Sequence, residues 1–140
     1  MIRFEAAGVR VATDRPERTV TLLEPLTCTL AEQTVAVIGA NGSGKSTLAR
    51  LVNGLRPATT GRVLTCGLDV ATHGRAVRSR VGFVFTDPDS QLVMPTAVED
   101  VALSLRRTVS DAGERAARAR EVLDRFGLAD HVHTPVHALS

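Results

Sequence analysis

With 44% hydrophobic and 23% charged residues over 140 positions, the chain has the composition of one ordinary globular domain, which excludes a disordered or collagen-like polypeptide. Its 17 basic and 15 acidic residues leave a net charge of +2, too balanced to imply nucleic acid as a partner, and its longest apolar run, TVAVIGA, is far too short to cross a bilayer. The first residues, MIRFEAAGVRV, carry an acid and alternate in polarity, unlike a signal peptide. Cys28 and Cys66 have no motif spacing; they read as buried thiols in a reducing compartment, and the cytoplasm is the expected location.

In chain order, IRFEAAGVRV and RTVTLLEPLTCTL alternate apolar and polar residues, which predicts two antiparallel strands. TVAVI, Thr34 to Ile38, is a continuous β-branched run and predicts a buried strand. KSTLARLVNGL, from Lys45, has apolar residues at helical spacing. Between that strand and that helix stands G-x-x-x-x-G-K-S, met by Gly39, Gly44, Lys45 and Ser46. The chemistry needs these residue types. Gly39, Gly42 and Gly44 let the backbone turn tightly and aim successive N–H groups inward, forming an anion nest at a helix N-terminus. Ala40, Asn41 and Ser43 complete the loop. Lys45 places a compact ammonium between β- and γ-phosphates, where a guanidinium fits poorly. Ser46 offers its hydroxyl to Mg²⁺ and Thr47 offers a donor to the α-phosphate. Of the 17 basic residues, 16 are Arg and Lys45 is the only Lys, which marks it as a place where Arg does not serve.

Beyond the cradle, VGFVF, Val81 to Phe85, predicts another strand. A helix is expected from Glu114 to about Phe126. Ala116, Ala119, Val122, Leu123 and Phe126 form its apolar stripe, and Gly127 stands at the C′ position. Its Arg and Glu residues interleave at helical spacing and read as a solvated, salt-bridged face. His131, His133 and His137 have a metal-like spacing, but they lie in a Pro-containing loop without Cys, and no metal is expected there. Asp87 imitates the acid at the end of an apolar strand, yet Thr86 intervenes and Pro88 follows, so it is not read as a catalytic carboxylate.

The run VAVIGANGSGKSTLARLVNGLRPATTGRVLTCGLDV resembles the nucleotide-binding domain of ABC ATPases, with Asn53-Gly54-Leu55, Pro57, Gly61 and Asp69 at the family's positions. RVGFVFTDPDSQLVMPTAVEDVALSL is similar to the Q-loop region of one branch, the A components of energy-coupling factor (ECF) transporters of the biotin and cobalt type. The resemblance implies an α/β P-loop fold with N-terminal antiparallel strands. Residues 1–86 would form the strands and P-loop core, and residues 87–140 the Q-loop and the start of the helical subdomain. It implies ATP and Mg²⁺ as ligands and a second ATPase subunit as partner. A transmembrane T component and a substrate-binding S component complete the assembly at the cytoplasmic face of the membrane, with a lean toward biotin-type systems.

The same resemblance makes Leu139-Ser140 the first two residues of the ABC signature, so the chain reads as a fragment ending there. The Walker B strand and catalytic Glu are expected beyond it, and no catalytic residue within it. The 140-residue piece is therefore expected to bind ATP without turnover and to be poorly soluble or molten. Two positions depart from the family. Thr86 stands where the Q-loop Gln is usual, with Gln91 as a second Gln of the branch. Ala12 to Arg15 occupy the place of the adenine-stacking aromatic, in a chain with no Tyr or Trp, so either nucleotide affinity is modest or Arg15 or Arg18 covers the base. Two other readings stay open: a soluble non-transport ABC-type ATPase, and a small P-loop kinase.

Overall fold

The computed structural model describes residues 1–14, 18–87 and 91–139; Arg15 and Ser140 lie outside the described residues. The chain forms two compact units, Met1–Phe83 and Val84–Ser140.

The first unit is built on a four-stranded sheet in the order β2-β1-β3-β4. Strand β1 (Ile2–Ala12) runs antiparallel to β2 (Thr19–Leu30) on one side and to β3 (Thr60–Thr65) on the other. The predicted N-terminal hairpin is therefore present. Because β1 is flanked on both edges, it supplies the most deeply buried side chains: Phe4 is 0% and Val9 1% exposed. Helix α1 (Lys45–Val52) contributes Leu51 to the same core, together with Val63, Val70 and Val77. Thr65, also buried, donates its hydroxyl to the Val52 carbonyl at 2.7 Å and ties β3 to the end of α1.

Strict alternation fails once along β1. Ala6 has a left-handed φ of 47°, the register shifts between Phe4 and Ala7, and the Ala6 N–H is satisfied by the Thr27 hydroxyl at 2.9 Å. This bulge puts Ala7, Gly8 and Val9 into the interior in succession. Gly61 packs against it so closely that a Cβ there would lie 2.1 Å from the Glu5 carbonyl oxygen. Strand β4 (Leu68–Asp69) returns from β3 through Cys66 and Gly67, at φ 52° and 76°, the pair of left-handed residues that a two-residue type I′ turn requires. Helix α2 (Gly74–Arg78) follows and buries Val77.

Three expectations are corrected here. Residues 35–40 carry no regular secondary structure, and Ile38 is 92% exposed, so the expected buried strand does not form. Val81 to Phe85 likewise join no ladder, and Val84 is exposed. The reason is the same for both runs: β-branched residues favour a strand only where a neighbour completes the ladder, and among the described residues none does. The thiols are not buried either; Cys28 is half-buried and Cys66, at the tip of its turn, is exposed.

The second unit packs α3 (Ala97–Leu105) against α4 (Ala112–Arg125). Its core is Ala97, Val98, Ala119 and Leu123, with Val101, Leu128 and Val132 packed on it. The Glu99 carboxylate accepts from the Thr96 hydroxyl at 2.7 Å and the Thr96 N–H at 3.2 Å, anchoring the start of α3. The T-x-x-E spacing of Thr96 and Glu99 is the sequence signature of this capping box. Helix α4 begins two residues before the expected Glu114, because Asp111 caps it by accepting from the Glu114 N–H at 2.7 Å. At its other end Gly127 has φ 73°, as expected for C′. The Gly127 N–H bonds the Asp124 carbonyl and the Leu128 N–H bonds the Leu123 carbonyl, each at 2.9 Å, which closes a Schellman motif. The stripe is narrower than expected: Ala119 and Leu123 are buried, while Val122 and Phe126 face solvent.

Candidate functional site

The loop from Gly39 to Gly44 leads directly into α1, with Gly44 as the residue before its first turn. Gly42 and Gly44 have φ of 81° and 89°, left-handed conformations that cost an L-residue roughly 1–2 kcal/mol. Gly44 is needed twice over. A Cβ on it would meet the Leu22 carbonyl oxygen at 2.8 Å, and one on Gly39 would meet the Ser43 Oγ at 2.7 Å. The loop is thus shaped by close approach as well as by torsion.

Lys45 is the first residue of α1, and its ammonium reaches back over the loop. Nζ donates to the Gly39 carbonyl at 2.8 Å and to the Ala40 carbonyl at 2.7 Å. The Ser43 N–H bonds the Ala40 carbonyl at 3.2 Å, and the Leu48 N–H bonds the Gly44 carbonyl at 2.8 Å, so the turn and the helix are both closed. Asn41, Gly42, Ser43, Gly44, Lys45, Ser46 and Thr47 line one hollow of about 480 Å³, whose far wall is Val20, Thr21 and Leu22 of β2. The structure therefore gathers these seven of the nine predicted loop residues on one surface. It adds a β2 wall that sequence spacing does not reveal, because the contact spans more than twenty positions.

The donor set suits phosphate: a helix N-terminus, glycine backbone at close range and one ammonium. Ser46 is exposed at the cavity and Thr47 half-buried, so a Mg²⁺ ion would find the Ser46 hydroxyl accessible. Next to the cradle, Thr13, Asp14, Arg18, Thr19 and Val20 line a second hollow of about 590 Å³. Val20 belongs to both, and the Thr13 N–H and hydroxyl both bond the Arg18 carbonyl, at 2.9 and 3.0 Å. Arg18 thus lines the hollow next to the cradle, whereas Arg15 lies outside the described residues.

In the second unit Thr86 is exposed. The Gln91 Oε1 accepts from the Phe85 N–H at 3.1 Å. Asp100, not singled out by the sequence, accepts from the Val93 and Met94 N–H groups at 2.9 and 3.0 Å and holds the stretch before α3. His131 ends one 3₁₀ turn, Ala129–His131, and His137 lies in another, Val136–Ala138, with His133 between the two. Among the described residues no three His, Cys, Asp or Glu side chains gather to hold a metal.

Comparison with known proteins accords with this geometry. A family model described as ABC transporter matches residues 23–140. The biotin transport ATP-binding protein BioM of Rhizobium etli is 42% identical over 143 residues, covering 99% of this chain and 59% of that protein. The energy-coupling factor transporter ATP-binding protein EcfA1 of Symbiobacterium thermophilum is 42% identical over 108 residues, covering 76% and 38%. The solved structure of cbiO1 from Clostridium perfringens, described as part of the ABC transporter complex cbiONQ, superposes with a TM-score of 0.78 at 26% identity, covering 99% of this chain and 55% of that one. The chain spans about half the length of the proteins it matches. No helix among the described residues is long and apolar enough to cross a membrane. With its glycine cradle, its lysine and a family match over residues 23–140, the chain belongs to the ABC transporter ATP-binding family.

Proposed function

We propose that this chain is the nucleotide-binding part of an ATP-binding subunit of an ECF-type importer, with a biotin-type system favoured. The observation that carries the reading is the Lys45 ammonium spanning the Gly39 and Ala40 carbonyls at the head of α1. That arrangement serves a triphosphate, whose anionic oxygens compete for the ammonium. Mg²⁺, held through Ser46, supplies charge neutralisation of the β- and γ-phosphates. Gly39 to Thr47 bind the phosphates, and Arg18 with Val20 flank the base. The Q-loop runs through Thr86 and Gln91 and leads into the start of the helical subdomain.

Similarity to BioM and EcfA1 supports transport as the role. The full protein works as a dimer of ATPase subunits at the cytoplasmic face of the membrane, joined to transmembrane T and substrate-binding S components. Hydrolysis belongs to the full-length protein. The test is equilibrium titration of MgATP against the full-length chain, followed by co-expression with its membrane partner and measurement of ATP-dependent biotin uptake. Saturable MgATP binding and uptake that both require Lys45 are expected. Failure to bind MgATP overturns the nucleotide reading, and binding without co-purification of a membrane component overturns the transport reading.

A further inference from the structure

A hollow of about 310 Å³ opens between the end of α1, the turn into β3 and α2, and it shares no lining residue with the phosphate cradle. Its floor is apolar: Leu51, Val63 and Val70 line it, each 8% exposed or less. Its rim carries four guanidinium groups, from Arg56, Arg62, Arg75 and Arg78. Arg62 is matched by Glu5, with Nε 2.5 Å from the carboxylate. The other three form no ion pair with any described residue. Arg78 is exposed. Its Nη1 lies 3.5 Å from where a Cβ on Gly54 would sit and 2.9 Å from where one on Gly74 would sit. The guanidinium therefore lies beside both glycines.

Three guanidinium groups without an ion pair line one apolar floor, and a bound anion would relieve the repulsion among them. Arginine is the side chain best suited to grip planar or tetrahedral oxyanions through paired N–H groups. A single carboxylate uses one such fork, whereas a phosphate dianion presents enough oxygens for two or three. The volume falls at the small end of ligand cavities and admits a body of about one ring. We propose that this hollow binds a small organic phosphate ester, its dianionic head held by Arg75 and Arg78 and its apolar body seated on Val63 and Val70. Leu51 lies near the end of α1, the helix that Lys45 begins, so the ester site and the cradle stand at opposite ends of one eight-residue helix.

The test is a titration of the full-length chain with phenyl phosphate, followed by amide NMR. Saturable shifts at Ala58, Val70 and Gly74 are expected, with Arg78→Gln weakening the affinity about tenfold while MgATP binding at the cradle is kept. Arg75→Gln, at an exposed position, gives a second variant should Arg78→Gln alter folding, and it is expected to weaken binding to a similar degree. Absence of shifts at those amides, or binding unaffected by both substitutions, overturns the proposal. Equal affinity for inorganic phosphate overturns the ester class. Shifts confined to Gly42 through Thr47 assign the anion to the cradle and overturn the second site, leaving the nucleotide reading intact.

Discussion

The ammonium of Lys45 lies 2.8 Å from the carbonyl oxygen of Gly39, so the only lysine in the chain closes the glycine loop that leads into α1. Replacing Lys45 by Ala removes at least one charge-assisted hydrogen bond to the triphosphate, worth about 1.5–3 kcal/mol. MgATP affinity measured by calorimetry is expected to fall about 10- to 100-fold, with little change in melting temperature because the loop is exposed. Lys45→Arg is expected to recover only a small part of the affinity. Full recovery by Arg would show that the ammonium's compactness is not what the site uses.

Gly61 and Gly67 both have positive φ, 61° and 76°, yet their surroundings differ. A Cβ on Gly61 would strike the Glu5 and Ala6 carbonyl oxygens at 2.1 and 2.2 Å, while one on Gly67 meets nothing within 4 Å. Gly61→Ala is therefore expected to cost about 3 kcal/mol or more, through backbone clash at the β1 bulge. Gly67→Ala is expected to cost only about 1–2 kcal/mol, the torsional penalty. Urea denaturation followed by circular dichroism compares them; equal losses would mean that the close approach carries no weight.

Glu5 is held below the ordinary carboxylate range, first by its hydrogen bond from Arg62 and then by the charges of Arg62 and Arg3. A depressed folded-state value means that the carboxylate favours folding above the unfolded pKa, and that this contribution disappears as pH falls through the lower folded value. The pair is solvent-exposed, so the effect is small. Glu5→Gln is expected to flatten the acid side of the stability–pH curve below about pH 4 and to leave neutral stability nearly unchanged. An unaltered acid slope in the variant would remove Glu5 as a contributor.

Ile38, Val84 and Phe126 are 92%, 91% and 79% exposed, and the first two sit in β-branched runs with no ladder among the described residues. Such surface binds hydrophobic dyes and seeds edge-to-edge association. The 140-residue chain alone is expected to bind ANS and to melt over a broad range, with Ile38→Ser plus Val84→Ser lowering dye binding. A sharp cooperative melt without ANS binding counts against this.

The sequence by itself determined the parts that depend on neighbours along the chain. The cradle needs a run of glycines, a lysine and a helix start within ten positions. The β1–β2 hairpin follows from local alternation, and the end of α4 from Gly127, whose φ of 73° only glycine adopts cheaply. Gly39 to Thr47 were legible for the same reason. Only the tertiary structure decided what depends on distant partners. Two predicted strands, at Thr34 to Ile38 and Val81 to Phe85, do not form, because a ladder is a property of two segments and not of one. The β2 wall of the cradle, the fit of Gly61 against the bulge at Ala6 and the arginines around Val63 and Val70 arise from contacts across many positions. Local chemistry places a loop; packing between segments decides what that loop faces.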